Sequence, residues 1–235
     1  MPALISKAQI WRRLLGSLPK QFQIRLPEPR PVLDQMVYAI CRRNCPRDSA
    51  DAAFERLRRA FFDWNEIRVS AIREVADVLV PLPDAFARAE QITGLLDDVF
   101  NSQFSFDLEG LKHKPLLQAM KQLARWRHVD HFITAWVCQY SLGAHALPLD
   151  ESTHRVVLRL GMVTDSSLPG AQAALQRQVR KADAPPVYEI LSAIAHQYCL
   201  PEPGCSKCNL RQYCPTARQN AQHSLNTVSF SKKPR

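Results

Sequence analysis

The chain has 235 residues, 46% of them hydrophobic, with a formal net charge of +9 and a pI near 9.4. A chain of that length buries one large core or two modest ones, so it needs no disulfide staples. Its seven cysteines are an odd number, and no secretory signal is visible; the expectation is a reduced, intracellular, cytoplasmic protein. A membrane span is excluded as well, because the longest uncharged run, 132 to 149, contains Gln139, Ser141, Gly143, His145 and Pro148.

Nearly every segment reads as helix, and no run alternates with period two. The first 27 residues lack acids, as a mitochondrial presequence would. The stripe of Ile5, Ile10, Trp11, Leu14 and Leu15 predicts an ordinary packed helix instead. After Pro27, Pro29 and Pro31 the pattern predicts helices at 32–43, 50–62 and 70–80, the last ended by Pro81 and Pro83. Further helices are expected at 84–100, 115–126, 131–142, 151–160, 170–181 and 186–198. With only seven glycines, the loops between them must be short or built on proline. The arginine clusters Arg42, Arg43, Arg47 and Arg56, Arg58, Arg59 suit a polyanion partner, or else solvated helix faces. The run from Phe61 to Arg68 is dense in aromatic and polar residues; Trp64 is a core residue or a base-stacking one. Residues 217–235 read as a basic disordered tail.

The most informative feature is a set of four cysteines, Cys199, Cys205, Cys208 and Cys214, spaced Cys-x5-Cys-x2-Cys-x5-Cys. Only the middle pair forms a tight knuckle, whereas a four-cysteine zinc site usually uses two. The wide outer spacing suits a cubane 4Fe-4S cluster with one thiolate per iron; zinc and free thiols are the alternatives. Cys41, Cys45 and Cys138 read as buried bystanders.

Upstream lies Gly143-Ala-His-Ala-Leu-Pro-Leu-Asp150-Glu-Ser-Thr-His154. An uncharged helix, a Gly/Pro loop ending in aspartate, two more helices and then four cysteines together resemble the endonuclease III branch of the helix-hairpin-helix DNA glycosylases. That family carries a Val-Asp-Thr-His loop and a Cys-x6-Cys-x2-Cys-x5-Cys cluster. The resemblance implies an all-α, two-lobed fold with a C-terminal 4Fe-4S cluster loop. It would comprise a helical domain at 32–144 with a degenerate hairpin, and a cluster domain made of 1–31 and 145–216. The implied function is base-excision repair by a monomeric, double-stranded DNA-binding N-glycosylase; the alternative is a non-catalytic iron-sulfur DNA-binding module.

The resemblance also assigns residues. Asp150 would stabilise an oxocarbenium-like sugar or orient a water; as a residue type it also suits the N-cap of 151–160. His154, one turn later, could face it. The family's hairpin pattern Leu-Pro-Gly-Val-Gly-x-Lys falls on 126–132, and no glycine lies between Gly110 and Gly143. Arg127 and His128 would replace the lost phosphate contact by charge. Phe132 stands where bifunctional members place the Schiff-base lysine, which implies no AP lyase chemistry. The family's wedge segment corresponds to 42–48, making Arg43 and Asn44 DNA-contact candidates, and Lys207 and Arg211 take that role beside the cysteines.

Overall fold

The computed structural model describes residues 6–221, and every regular element among them is helical. The α-helices are α1 (Lys7–Gly16), α2 (Leu18–Gln21), α3 (Val32–Arg42), α4 (Arg47–Ala60), α5 (Trp64–Val69), α6 (Ile72–Leu79), α7 (Ala85–Gln103), α8 (Leu116–Leu123), α9 (His131–Tyr140), α10 (Glu151–Arg159), α11 (Leu168–Gln176) and α12 (Ala184–Gln197). None of them is long and apolar enough to cross a membrane. Residues 215–221 are also helical, so the expected tail does not begin at 217; 222–235 lie outside the described residues.

Local chemistry sets the helix ends. Ser6 closes a capping box with Gln9 at the start of α1, and Asp63, Asp130 and Asp150 accept from the N3 amides of α5, α9 and α10. Gly143, at φ +59°, takes the left-handed conformation that turns the chain away from α9. The predicted helix at 70–80 is shorter than expected, and a separate turn of helix, α5, precedes it. The cap from Asp63 starts α5, and the extended backbone of Ser70 ends it.

The apolar side chains form two main cores. One collects α3 to α9 around Met36, Ile40, Leu57, Leu96 and Trp136; the other joins α1 and α2 to α10, α11 and α12 around Leu14, Leu18, Val157, Leu191 and Leu210. Tyr188 breaks the division: it projects from α12 into the first core, where its ring meets Phe132 at 5.7 Å and Trp136 at 5.3 Å. Beside it a buried ion pair, Arg42 Nη2 to Glu189 Oε2 at 2.9 Å, ties α3 to α12. A pair this deeply buried is costly to break from one side, so the two cores are held in a fixed relation.

Candidate active site and nucleic-acid interface

Asp150 sits where the two cores meet, and only 1% of it is exposed. Its Oδ1 accepts from Thr153 N (2.8 Å), Thr153 Oγ1 (2.7 Å) and Ser152 Oγ (2.8 Å). Its Oδ2 accepts from the Asn44 amide and the Tyr188 hydroxyl, each at 2.9 Å. Burial pushes the carboxyl toward the neutral form, but the donors from Thr153, Asn44 and Ser152 outweigh it and hold the pKa below the ordinary aspartate value. Burial and the adjacent Asp150 charge keep the Tyr188 phenol protonated, as a donor must be. Asp150 is therefore an N-cap, and it is also an ionised anchor between α10, α12 and the turn after α3.

Asn44 belongs to that anchor. It adopts φ +53°, its Nδ2 donates to Glu151 Oε2 (2.5 Å), and its Oδ1 accepts from Ser152 N (3.0 Å). In this arrangement the side chain clasps the start of α10 rather than projecting as a wedge. Arg43 is likewise engaged, with Asp130 and with Gln91 Oε1 at 2.7 Å. Arg47 pairs with Asp51 and donates to Leu26 O, while Arg56 donates to Val78 O. The arginine clusters are thus mostly structural; Arg58, over the Trp64 ring at 4.7 Å, and Arg59 are the exposed members. His154 does not face Asp150; its Nε2 lies 3.3 Å from the Asp165 carbonyl. Trp64 is a core residue, 8% exposed, with Nε1 donating to Asp34.

The segment between α8 and α9 is a tight hairpin without glycine. Its indole anchor, Trp126, is buried and donates to Ser102 Oγ (2.8 Å). Asp98 of α7 takes both the His128 amide (3.0 Å) and the His128 Nδ1 (2.9 Å). The space for the imidazole comes from Gly94 on α7, where a Cβ would fall 2.4 Å from His128 Nε2. A turn amide of the kind that would meet a phosphate is therefore filled by an internal carboxylate. Cationic side chains remain on this surface: Arg127, Arg125 and Lys121 are exposed and form no ion pair among the described residues. Arg125 and Lys121 thus join Arg127 as exposed cations of α8 and the turn after it, and the sequence pattern did not mark them. Phe132 is 1% exposed, its ring tilted against those of Trp136 and Tyr188, so no amine stands there.

At the other end, Cys199, Cys205, Cys208 and Cys214 line one small apolar cavity with Val156, Leu160 and Ile194. Arg159 Nη1 and Leu210 N each lie 3.4 Å from a sulfur, on Cys199 and Cys208. Burial raises the Cys208 and Cys214 thiols, and the neighbouring Cys199 and Cys205 raise them further. Cys214 Sγ donates to Arg159 O at 3.2 Å, a bond its thiolate would release. Among the described residues no three His, Cys, Asp or Glu side chains converge closely enough for a single ion. Lys207 and Arg211 are exposed nearby, and Arg211 Nη1 donates to Ser206 O.

Comparison with solved structures assigns the architecture. A non-covalent endonuclease III–DNA complex superposes with a TM-score of 0.70 at 17% identity, covering 93% of this chain and 99% of that one. A trapped endonuclease III–DNA covalent intermediate gives 0.68 at 17% over 92% and 99%, and a thermostable thymine-DNA glycosylase gives 0.64 at 16% over 90% and 96%. The chain has the fold of the endonuclease III-like, helix-hairpin-helix DNA glycosylases. Two curated relatives from Arabidopsis thaliana agree. DNA glycosylase/AP lyase ROS1 is 26% identical over 171 residues, and DEMETER-like protein 2 is 24% identical over 185. The matches take 65% and 69% of this chain but only 12% and 14% of those much longer proteins. No family model matches. In this frame Asp150 falls at the junction of the two cores, the hairpin packs on α7 within the first core, and the four cysteines rim a cavity against α10 and α12.

Proposed function

We propose that the chain is a DNA-binding N-glycosylase of the base-excision type that lacks AP lyase activity. The observation that carries this reading is Asp150: a carboxylate kept ionised at the junction of the two cores, at the N-terminus of α10, in a fold otherwise seen in DNA glycosylases. A fixed negative charge there would stabilise the positive charge that develops on a sugar as its N-glycosidic bond breaks. Phe132, buried among aromatic rings, offers no nucleophile for an imine, so base release would leave an intact abasic site. Double-stranded DNA would be held by charge through Lys121, Arg125 and Arg127.

The four cysteines suit a 4Fe-4S cluster by their spacing in the sequence: they rim one apolar cavity, and two sulfurs have N–H groups beside them. Its contribution when bound would be structural, tying the chain after α12 to α10. One observation favours a second reading, a DNA-binding module without catalysis: both Asp150 oxygens are fully engaged and the aromatic packing closes over them.

Incubation with a panel of damaged duplexes, followed by alkaline cleavage of abasic sites, separates the two. The glycosylase reading expects strand scission only after alkali; DNA retention with no alkali-labile site on any duplex supports the second reading.

A further inference from the structure

The short helix α8 carries apolar side chains on both of its sides. Ala119 and Leu123 are buried in the first core, while Leu116, Leu117 and Met120 point outward, 44%, 64% and 40% exposed. A surface helix keeps its outer side polar as a rule, and one that is apolar all round is covered on both faces. A single exposed leucine is ordinary. Leu116 and Met120 stand one turn apart with Leu117 beside them, so the three form a contiguous patch, which marks an interaction surface.

The charge around the patch selects what covers it. Residues 110–129 include Lys112, Lys114, Lys121, Arg125 and Arg127 and no acid. Lys112 pairs with Glu109 and Lys114 Nζ donates to the neutral Gln122, so four of the five cations meet no carboxylate among the described residues. A second copy of this face would set like charges against each other. Residues 1–27 and 222–235 of the chain are themselves basic and free of acid, so neither segment complements it. Duplex DNA matches the charge but not the stripe, because its backbone offers leucine and methionine nothing to bury against. We propose that α8 docks an acidic amphipathic helix of a partner protein. The partner's apolar side chains, one turn apart, cover Leu116, Leu117 and Met120, and its flanking carboxylates meet Lys114, Lys121 and Arg125. This surface is separate from Asp150 and does not depend on base release.

The test titrates the full chain, at up to millimolar concentration, into three labelled helix-forming peptides followed by fluorescence anisotropy. One presents a leucine stripe flanked by glutamates, the second replaces its leucines with alanine, and the third replaces its glutamates with glutamine. Saturable binding of the first is expected, weaker by at least about tenfold for each of the others, since burial of two or three partly exposed apolar side chains supplies that much. Lys121 is common to this face and to the surface proposed for the duplex, so the decisive variant leaves it alone. Leu117→Gln with Met120→Gln, both at exposed positions, should cost the peptide at least about tenfold in affinity while circular dichroism and duplex affinity stay those of the parent. The peptide series on the unaltered chain needs no variant to fold. No binding of the first peptide, equal binding of the alanine peptide, or binding untouched by the double variant overturns the proposal. Duplex affinity lost in that variant assigns the face to DNA instead, and a dimer of the parent that the variant dissolves assigns it to a second copy; either result overturns the acidic partner.

Discussion

Replacing Asp150 with asparagine separates its role as a cap from its role as an anchor. Asparagine is nearly isosteric and caps helices as well as aspartate, so if capping α10 were the whole role, stability would change by no more than about 0.5 kcal/mol. The structure gives a larger figure. With its carbonyl turned toward Thr153 and Ser152, the new amide NH2 faces two more donors, the Asn44 N–H and the Tyr188 hydroxyl. The phenol can rotate to accept, but the backbone amide cannot, and a buried donor left unpaired costs about 1–3 kcal/mol. Loss of the charge on the remaining bonds adds to this, for a total of about 2–4 kcal/mol, or roughly 5–12 °C in Tm for a chain of this size. Urea unfolding followed by circular dichroism measures it. The folded-state pKa lies below the ordinary 3.8, so this stabilisation is present above about pH 4 and fades as the pH falls through the folded value; the gap between the two proteins should close in acid. A variant as stable as the parent at neutral pH would refute the anchor.

Protein purified without oxygen should be brown and carry about four irons with matching sulfide, and serine at any of the four cysteines should lower both iron content and the stability of the α10–α12 side; stoichiometric zinc without sulfide would contradict this. Duplex affinity should fall with salt, with a slope of roughly 0.9 per phosphate contacted, and Lys121→Glu with Arg127→Glu should flatten that slope. Affinity indifferent to salt would remove the hairpin as the contact surface. Borohydride should trap no covalent complex; a trapped one would place a lysine such as Lys121 at the sugar.

Much of the helical order was legible because its signals are local. Asp130 and Asp150 follow loops and precede apolar runs, and both cap helices that begin one residue later. The four cysteines could be read from spacing alone, whereas the lack of a hairpin lysine at Phe132 came from the family resemblance. What could not be read depends on residues far apart in the chain. Asp98 meets His128 across 30 positions, Tyr188 reaches Asp150 across 38, and Arg42 meets Glu189 across 147. None of these pairings is visible in sequence, because nothing in the local pattern distinguishes an arginine that pairs inside a junction from one that awaits a phosphate. Asn44 could not be placed from sequence for the same reason: its positive φ and its clasp on α10 depend on both cores being packed.

Base release under single-turnover conditions, below the melting temperature of both proteins, tests the central claim most directly. Wild-type protein should liberate a base from at least one damaged duplex, and Asp150→Asn, checked as folded and DNA-bound, should do so slower by about 10²-fold or more, since the charge opposing the oxocarbenium ion is gone. Equal rates would reduce Asp150 to an anchor, and tight DNA binding with no release from any duplex by the wild type would contradict the glycosylase account.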